Sequence, residues 1–179
     1  GVNCANYQAG SQSLNVYDSL FFDNGGSGLA SDSDCATMPM NIIGNHFIGN
    51  SGEGLSLHYS FGDIIVRNNL ITGNSSGMYA RGNASVTIER NIIYSNSSYG
   101  LRLEYASFTV QNNIIAENQE GAIYTNQCGT FMFNDNSFCR NSRSSGVNII
   151  AWPRPEGMTS LASSLPASSI RLSYSRRAL

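Results

Sequence analysis

The sequence predicts an all-β solenoid of about six coils, each built from three short parallel strands and together spanning residues 1 to 150. Three observations carry this expectation. First, the pattern Asn-x-apolar-x-x-Asn recurs at Asn45 (NHFIGN), Asn69 (NLITGN), Asn91 (NIIYSN), Asn113 (NIIAEN) and Asn136 (NSFCRN), with a degenerate copy at Ser19 (SLFFDN). Successive starts lie 26, 24, 22, 22 and 23 residues apart. Second, an apolar-x-apolar unit precedes every copy: Leu14 and Val16, Met40 and Ile42, Ile64 and Val66, Val86 and Ile88, Phe108 and Val110, Phe131 and Phe133. Third, a glycine followed by an apolar residue comes after every copy, at Gly28, Gly54, Gly77, Gly100, Gly121 and Gly146. A fixed period of this length is the signature of a repeat architecture.

Each unit alternates inward and outward for three to five residues before a turn residue interrupts it, which is the period of a short strand and leaves no room for a helix. Strands from successive coils would then pair about 4.8 Å apart, so six coils make a rod roughly 30 Å long. The apolar columns Phe47, Ile71, Ile93, Ile115 and Phe138; Ile64, Val86, Phe108 and Phe131; and Leu55, Met78 and Leu101 stack as one core. No coil buries its own face alone.

The asparagine column Asn45, Asn69, Asn91, Asn113 and Asn136 is expected to do two jobs. Asparagine tolerates left-handed backbone at a sharp turn, and its amide can bond an identical amide one coil away. A second column, Asn24, Asn50, Asn74, Asn96, Asn118 and Asn141, marks the next corner. The glycines are expected to let the chain enter the following strand.

This combination resembles the right-handed parallel β-helix of the pectate-lyase-like fold, over roughly residues 12 to 150. A leucine-rich repeat shares part of the pattern, but isoleucine, valine and phenylalanine dominate here, and a second Asn with a Gly-led strand fills the place of its convex segment. The β-helix resemblance implies a fold that hosts polysaccharide lyases, glycoside hydrolases, uronate epimerases, phage tailspikes, adhesins and extracellular repeat regions. The fold alone does not choose among them.

Composition sets limits. Among 179 residues there are 18 Gly, charged residues are 12%, lysine is absent and the net charge is −2. Residues 1 to 150 carry six Arg against eleven acids, and 151 to 179 carry four Arg against one. The repeats offer no basic stripe for phosphates, so nucleic acid is excluded as a partner, and no apolar run reaches membrane-spanning length. The chain starts at Gly1 inside a strand-like pattern, so the expectation is a mature or excised piece of a larger secreted or cell-surface protein, with neighbouring domains as partners. Residues 1 to 12 are expected to cap one end of the rod. From Trp152 the repeat stops, and residues 151 to 179 read as a disordered or capping tail.

Cysteines fall at 4, 35, 128 and 139 without a CxxC, which speaks against a zinc site. Cys4 and Cys35, one long coil apart, could stack as a disulfide; Cys128 and Cys139 fall on different sides of one coil, which disfavours a bond. Sequons stand at Asn74, Asn96 and Asn83. The first two are corner residues, so Asn83 is the glycosylation candidate.

In enzymes of the fold that this chain resembles, substrate lies along one parallel sheet. The outward positions of the Gly-led sheet are Ser56, His58, Tyr79, Arg81, Arg102, Glu104 and Tyr124. Tyrosine faces stack on sugar rings and arginine forks pair with uronate or sulfate, so this strip suits a polysaccharide or cell-surface glycan. Equally, the charges suit a solvated ion ladder. Hydrolysis needs two facing carboxylates, and only Glu104 lies on the strip; Glu53 and Asp63 sit in bordering loops. A β-eliminating lyase needs a base, for which Arg81 or Arg102 stands, and calcium, for which Asp32 and Asp34 of SDSDC are the candidates. No other cofactor is implied. The short loops favour a non-catalytic rod over a polysaccharide lyase, hydrolase or epimerase.

Overall fold

A computed structural model describes residues 2–4, 13–31, 38–60, 62–82, 85–141, 147–150 and 170–171. The strands, numbered in chain order, fall into three parallel sheets. Sheet A contains β1 (Val2–Cys4), β4 (Leu29–Ser31), β7 (Leu55–Ser60), β10 (Met78–Gly82), β13 (Tyr99–Glu104), β16 (Gly121–Asn126), β19 (Val147–Ile150) and β20 (Ile170–Arg171). Sheet B contains β2 (Leu14–Tyr17), β5 (Met40–Ile43), β8 (Ile64–Arg67), β11 (Ser85–Glu89), β14 (Ser107–Gln111) and β17 (Phe131–Asn134). Sheet C contains β3 (Leu20–Phe22), β6 (His46–Ile48), β9 (Leu70–Thr72), β12 (Ile92–Tyr94), β15 (Ile114–Ala116) and β18 (Ser137–Cys139). One coil runs from B through C to A. No helix occurs among the described residues, which removes the leucine-rich repeat.

The three sequence units are thus the three sheets, in register. Ile64, Val86, Phe108 and Phe131 are opposed Cα to Cα across four coils of sheet B, and Phe47, Ile71, Ile93, Ile115 and Phe138 across five of sheet C. All are buried except Phe138, which is half-buried near the last coil. Because like residues recur one coil apart, Phe21 stacks on Phe47 at 4.8 Å, while within a single coil Phe133 stacks on Phe138 at 5.4 Å. Register is pinned because a slip by one residue would turn each apolar column outward.

Both asparagine columns form side-chain ladders. Asn91 shows the unit: its Oδ1 accepts from the backbone N–H and the Nδ2 of Asn69, both at 2.9 Å, while its own Nδ2 donates to the Val66 carbonyl at 2.9 Å and to Asn113 Oδ1 at 3.0 Å. The same arrangement repeats through Asn50, Asn74, Asn96 and Asn118 at the other corner. Ser19, the degenerate first copy, donates its backbone N–H to Asn45 Oδ1 at 3.0 Å.

Two expectations about corners are corrected. The left-handed residue is not the ladder asparagine but the residue before it: Asp18, Gly44, Asn68, Arg90, Asn112 and Asp135 at one corner, and Asp23, Gly49, Gly73, Ser95, Glu117 and Arg140 at the other, all at positive φ. The turn and the ladder are therefore separate columns. A ladder asparagine must point inward to reach amides and carbonyls, while the turn residue points to solvent and accepts varied side chains. Gly28, Gly54, Gly77 and Gly100, which lead into strands of sheet A, are needed for space rather than for conformation. A Cβ on Gly54 would stand 2.6 Å from Ile71 Cγ2 and 2.9 Å from the Gly77 carbonyl oxygen; one on Gly100 would stand 2.7 Å from Ile115 Cγ2.

At the ends, β1 pairs with β4 and β20 with β19. The remainder of the expected 1–12 cap and of the 151–179 tail lies outside the described residues.

Candidate functional site

The Gly-led units form sheet A, whose alternation turns Met78, Ala80, Leu101 and Leu103 into the core and leaves the predicted strip on the outer side. Parallel register sorts that strip into two columns. Ser56, Tyr79, Arg102 and Tyr124 form one; His58, Arg81, Glu104 and Asn126 form the other. All six principal strip residues, His58, Tyr79, Arg81, Arg102, Glu104 and Tyr124, are brought together.

Their mutual contacts were not legible from spacing. Arg102 is the hub. Its Cζ lies 4.6 Å from the centre of the Tyr79 ring and 5.7 Å from that of Tyr124, and its Nε and Nη2 both reach Glu104 Oε1 at 2.9 Å. The Tyr79 hydroxyl donates to the other carboxylate oxygen, Oε2, at 3.2 Å. His58 closes the column edge-on to Tyr79, with ring centroids 4.8 Å apart. As a result Tyr79 is 8% exposed and Glu104 4%, although both lie on the outer face. Arg102 keeps 47% of its side chain exposed.

The electrostatics follow. Burial, and then the charge of Glu104, raise the Tyr79 hydroxyl above its ordinary range, so it stays a neutral donor. Burial alone would lower Arg102, but the hydrogen bond and charge of Glu104 outweigh it and the guanidinium is raised. An Arg fork held by a carboxylate and stacked between two rings is a fixed cation, with cation–π attraction added to the ion pair.

Two aromatic neighbours were missed by sequence reasoning. Tyr99 packs against Tyr124 at 5.4 Å, and the Tyr105 ring holds the Arg81 Cζ at 5.0 Å. Tyr99 begins β13 beside Gly100, and Tyr105 is the left-handed residue that ends it; both stood outside the alternation used to find the strip. A polar column on sheet B was also missed: Arg67, Glu89 and Gln111 face one another across coils, with Arg67 Nε bonded to Glu89 and Gln111 Nε2 donating to it at 2.8 Å. The shared position after IIV, VTI and FTV would have revealed it. The Gln111 hydrogen bond, with Arg67 behind it, overcomes desolvation and lowers the Glu89 carboxyl.

For chemistry the strip is poorly equipped. Glu104 stands opposite Arg81 and Asn126, not opposite another carboxylate. Glu53 accepts a hydrogen bond from Ser27 at 2.9 Å, elsewhere in the coil. A hollow among Leu57, Ile64, Ala80, Arg81, Gly82, Val86 and Ala106 measures about 10 Å³, room for one water and no sugar. Among the described residues no group of three His, Cys, Asp or Glu side chains could hold a metal; the calcium candidates Asp32 and Asp34 lie outside them. Asn74 and Asn96 are fully buried in the ladder, so their sequons have no room for a glycan; Asn83 lies outside the described residues. Cys128 and Cys139 are both free, and burial pushes the Cys128 thiol up to about 12. Cys35, and with it the Cys4–Cys35 pairing, lies outside.

No curated protein and no solved structure matches the chain. The family model described as the right handed beta helix region matches residues 2–156, in agreement with the three-sheet parallel solenoid, and the chain belongs to that family.

Proposed function

We propose that this chain is a non-catalytic extracellular rod, a structural module of a larger secreted or cell-surface protein. One observation carries the reading: both oxygens of Glu104, the only carboxylate on the strip, are already engaged, one by Arg102 and the other by the Tyr79 hydroxyl. A general acid or base must be free to exchange a proton with substrate, and a glycosidase needs a second carboxylate facing it. The strip is a closed network that fastens adjacent coils of sheet A to one another. Placement outside the cell rests on the resemblance to secreted members of the fold.

A second reading, carbohydrate recognition by the same strip, is favoured by Arg102 itself. Its guanidinium is oriented by two tyrosine rings and a carboxylate while nearly half its side chain faces solvent. A polysaccharide or cell-surface glycan with acidic groups would meet a preset fork beside the Tyr99 and Tyr124 rings. The enzyme alternative, a lyase, hydrolase or epimerase of acidic glycans with calcium at Asp32 and Asp34, requires Glu104 to leave its partners.

The test is a glycan array probed with the intact chain, with and without calcium, alongside assays for unsaturated uronates and new reducing ends. The rod reading expects neither binding nor product. Saturable binding that is lost in Arg102→Ala and Tyr124→Ala establishes recognition, and product formation overturns the non-catalytic reading.

A further inference from the structure

Sheet C carries an outer face unlike that of the other two sheets. Its outward positions form two columns in register, one through Leu20, His46, Leu70, Ile92 and Ile114 and the other through Phe22, Ile48, Thr72 and Tyr94. Leu20 is 64% exposed, Phe22 62%, Ile114 47%, Ile92 44% and Tyr94 36%. Not one of the twelve outward positions of its six strands is an Asp, Glu, Lys or Arg. Sheets A and B, by contrast, bear Arg102 and Glu104, and Arg67 and Glu89, at matching positions. β-branched and aromatic residues suit a strand on either face, but the leucines Leu20 and Leu70 in the same column are not accounted for by strand propensity. As in sheets A and B, only the inner face of sheet C is packed by the chain itself, through Phe47, Ile71, Ile93 and Ile115.

We propose that this face is the contact surface between two copies of the chain, packed sheet C against sheet C. The area supports that occupant. With a large side chain presenting about 200 Å² when free, the five residues above leave roughly 500 Å² open on each copy. Leu70, Ile48 and Ala116, each half-buried, raise this toward 600 Å². Two faces together reach about 1,200 Å², the lower end of specific interfaces. The shape supports it as well. An identical face offers the same flat columns, free of Asp, Glu, Lys and Arg, at the same coil spacing, so the side chains of two sheets interdigitate about 10 Å apart across a two-fold axis, the closed arrangement that does not propagate into fibres. A strongly acidic or basic partner would find no Asp, Glu, Lys or Arg on this face, and only the His46 ring to pair with.

Sedimentation equilibrium and light scattering on the intact chain, between about 1 µM and about 1 mM, test the proposal over the range in which an interface of this size associates. The expected result is a mass rising from 19.3 kDa to twice that value. Ile92→Asp with Ile114→Asp is expected to stay monomeric throughout. Ile92→Thr with Ile114→Thr, which keeps strand-compatible side chains, is expected to weaken association by about tenfold or more. Thr87→Asp, on the outer side of sheet B, is expected to leave the dimer unchanged, and circular dichroism on every variant is expected to keep the wild-type β spectrum. A wild-type chain that is monomeric at all concentrations overturns the proposal. So does a dimer that survives both sheet C variants in folded form, or one that Thr87→Asp disrupts equally.

Discussion

Replacing Asn91 by alanine tests whether the ladder stabilises the rod or merely decorates it. Asn91 is 1% exposed, and its side chain makes four hydrogen bonds: two accepted from Asn69, one donated to Val66 and one to Asn113. Truncation strands the Asn69 backbone N–H where water cannot reach, leaves the Asn69 amide with only its bond to the Ile42 carbonyl, and removes one donor each from the Val66 carbonyl and Asn113 Oδ1. A buried polar group left unpaired costs about 1–3 kcal/mol, so one orphaned N–H and three weakened partners together cost about 3–5 kcal/mol when relaxation recovers part of the loss. That is a large fraction of the 5–15 kcal/mol typical of a whole domain. Asn136 is the internal control. It makes the same kind of bonds, accepting from Asn113 and donating to Val110 and Asn134, but it lies at the end of the ladder where it is half-exposed. Water replaces the lost partners there, and Asn136→Ala is expected to cost about 1–2 kcal/mol. Urea unfolding followed by circular dichroism reads both. With a slope of about 2 kcal/mol per molar, Asn91→Ala lowers the midpoint by about 1.5–2.5 M. If the two variants shift the midpoint equally, or if Asn91→Ala falls within about 1 kcal/mol of wild type, the energetic reading of the ladder is wrong.

Gly54→Ala should cost about 2–3 kcal/mol because the new methyl group meets both a core side chain and the backbone of the next coil, whereas Gly25→Ala, with nothing within 4 Å, should be nearly neutral in the same unfolding assay. Thiol titration with an aromatic disulfide at neutral pH should label exposed Cys139 at once and leave Cys128 silent until denaturant is added, since a thiol pushed up to about 12 carries almost no thiolate. Glu89 is held below the ordinary carboxylate range, so its contribution to stability is present above that range and is lost as pH falls through its lowered folded value. Glu89→Gln should therefore be less stable than wild type at neutral pH, with the difference closing as the solution is acidified; a constant difference at every pH would show that packing, not charge, is responsible.

The strands, their register and the core columns were legible because a solenoid writes its tertiary contacts as a linear period: a residue's neighbour in space is the residue one period away. Ile64 and Val86 could be paired from the sequence for that reason alone. The strip on sheet A was legible to the same depth, in that His58, Tyr79, Arg81, Arg102, Glu104 and Tyr124 were placed together. What alternation could not convey is how side chains on one face fold over each other. Nothing in the spacing of Tyr79 and Glu104 says that Arg102 and His58 cover them, and it is this covering that turns a row of reactive groups into a closed network. The left-handed corners were misassigned for a related reason. Asparagine was the only residue type repeating at the corner, so both duties were given to it, while the true turn column varies among Asp, Gly, Asn, Arg, Ser and Glu and has no signature of its own.

Separating turn from ladder makes the coil an interchangeable unit of length. Asn69, Asn91 and Asn113 lie 22 residues apart, and along the ladder each bonds only to the asparagines one coil away. Excising residues 70–91 would join Asn69 to Ile92 and bring Asn69 against Asn113, to which it would make the bonds it now makes to Asn91. A chain built this way can be shortened or extended by one coil at a time, about 4.8 Å per step, so that a small duplication in its gene would act as a change of ruler rather than a change of fold.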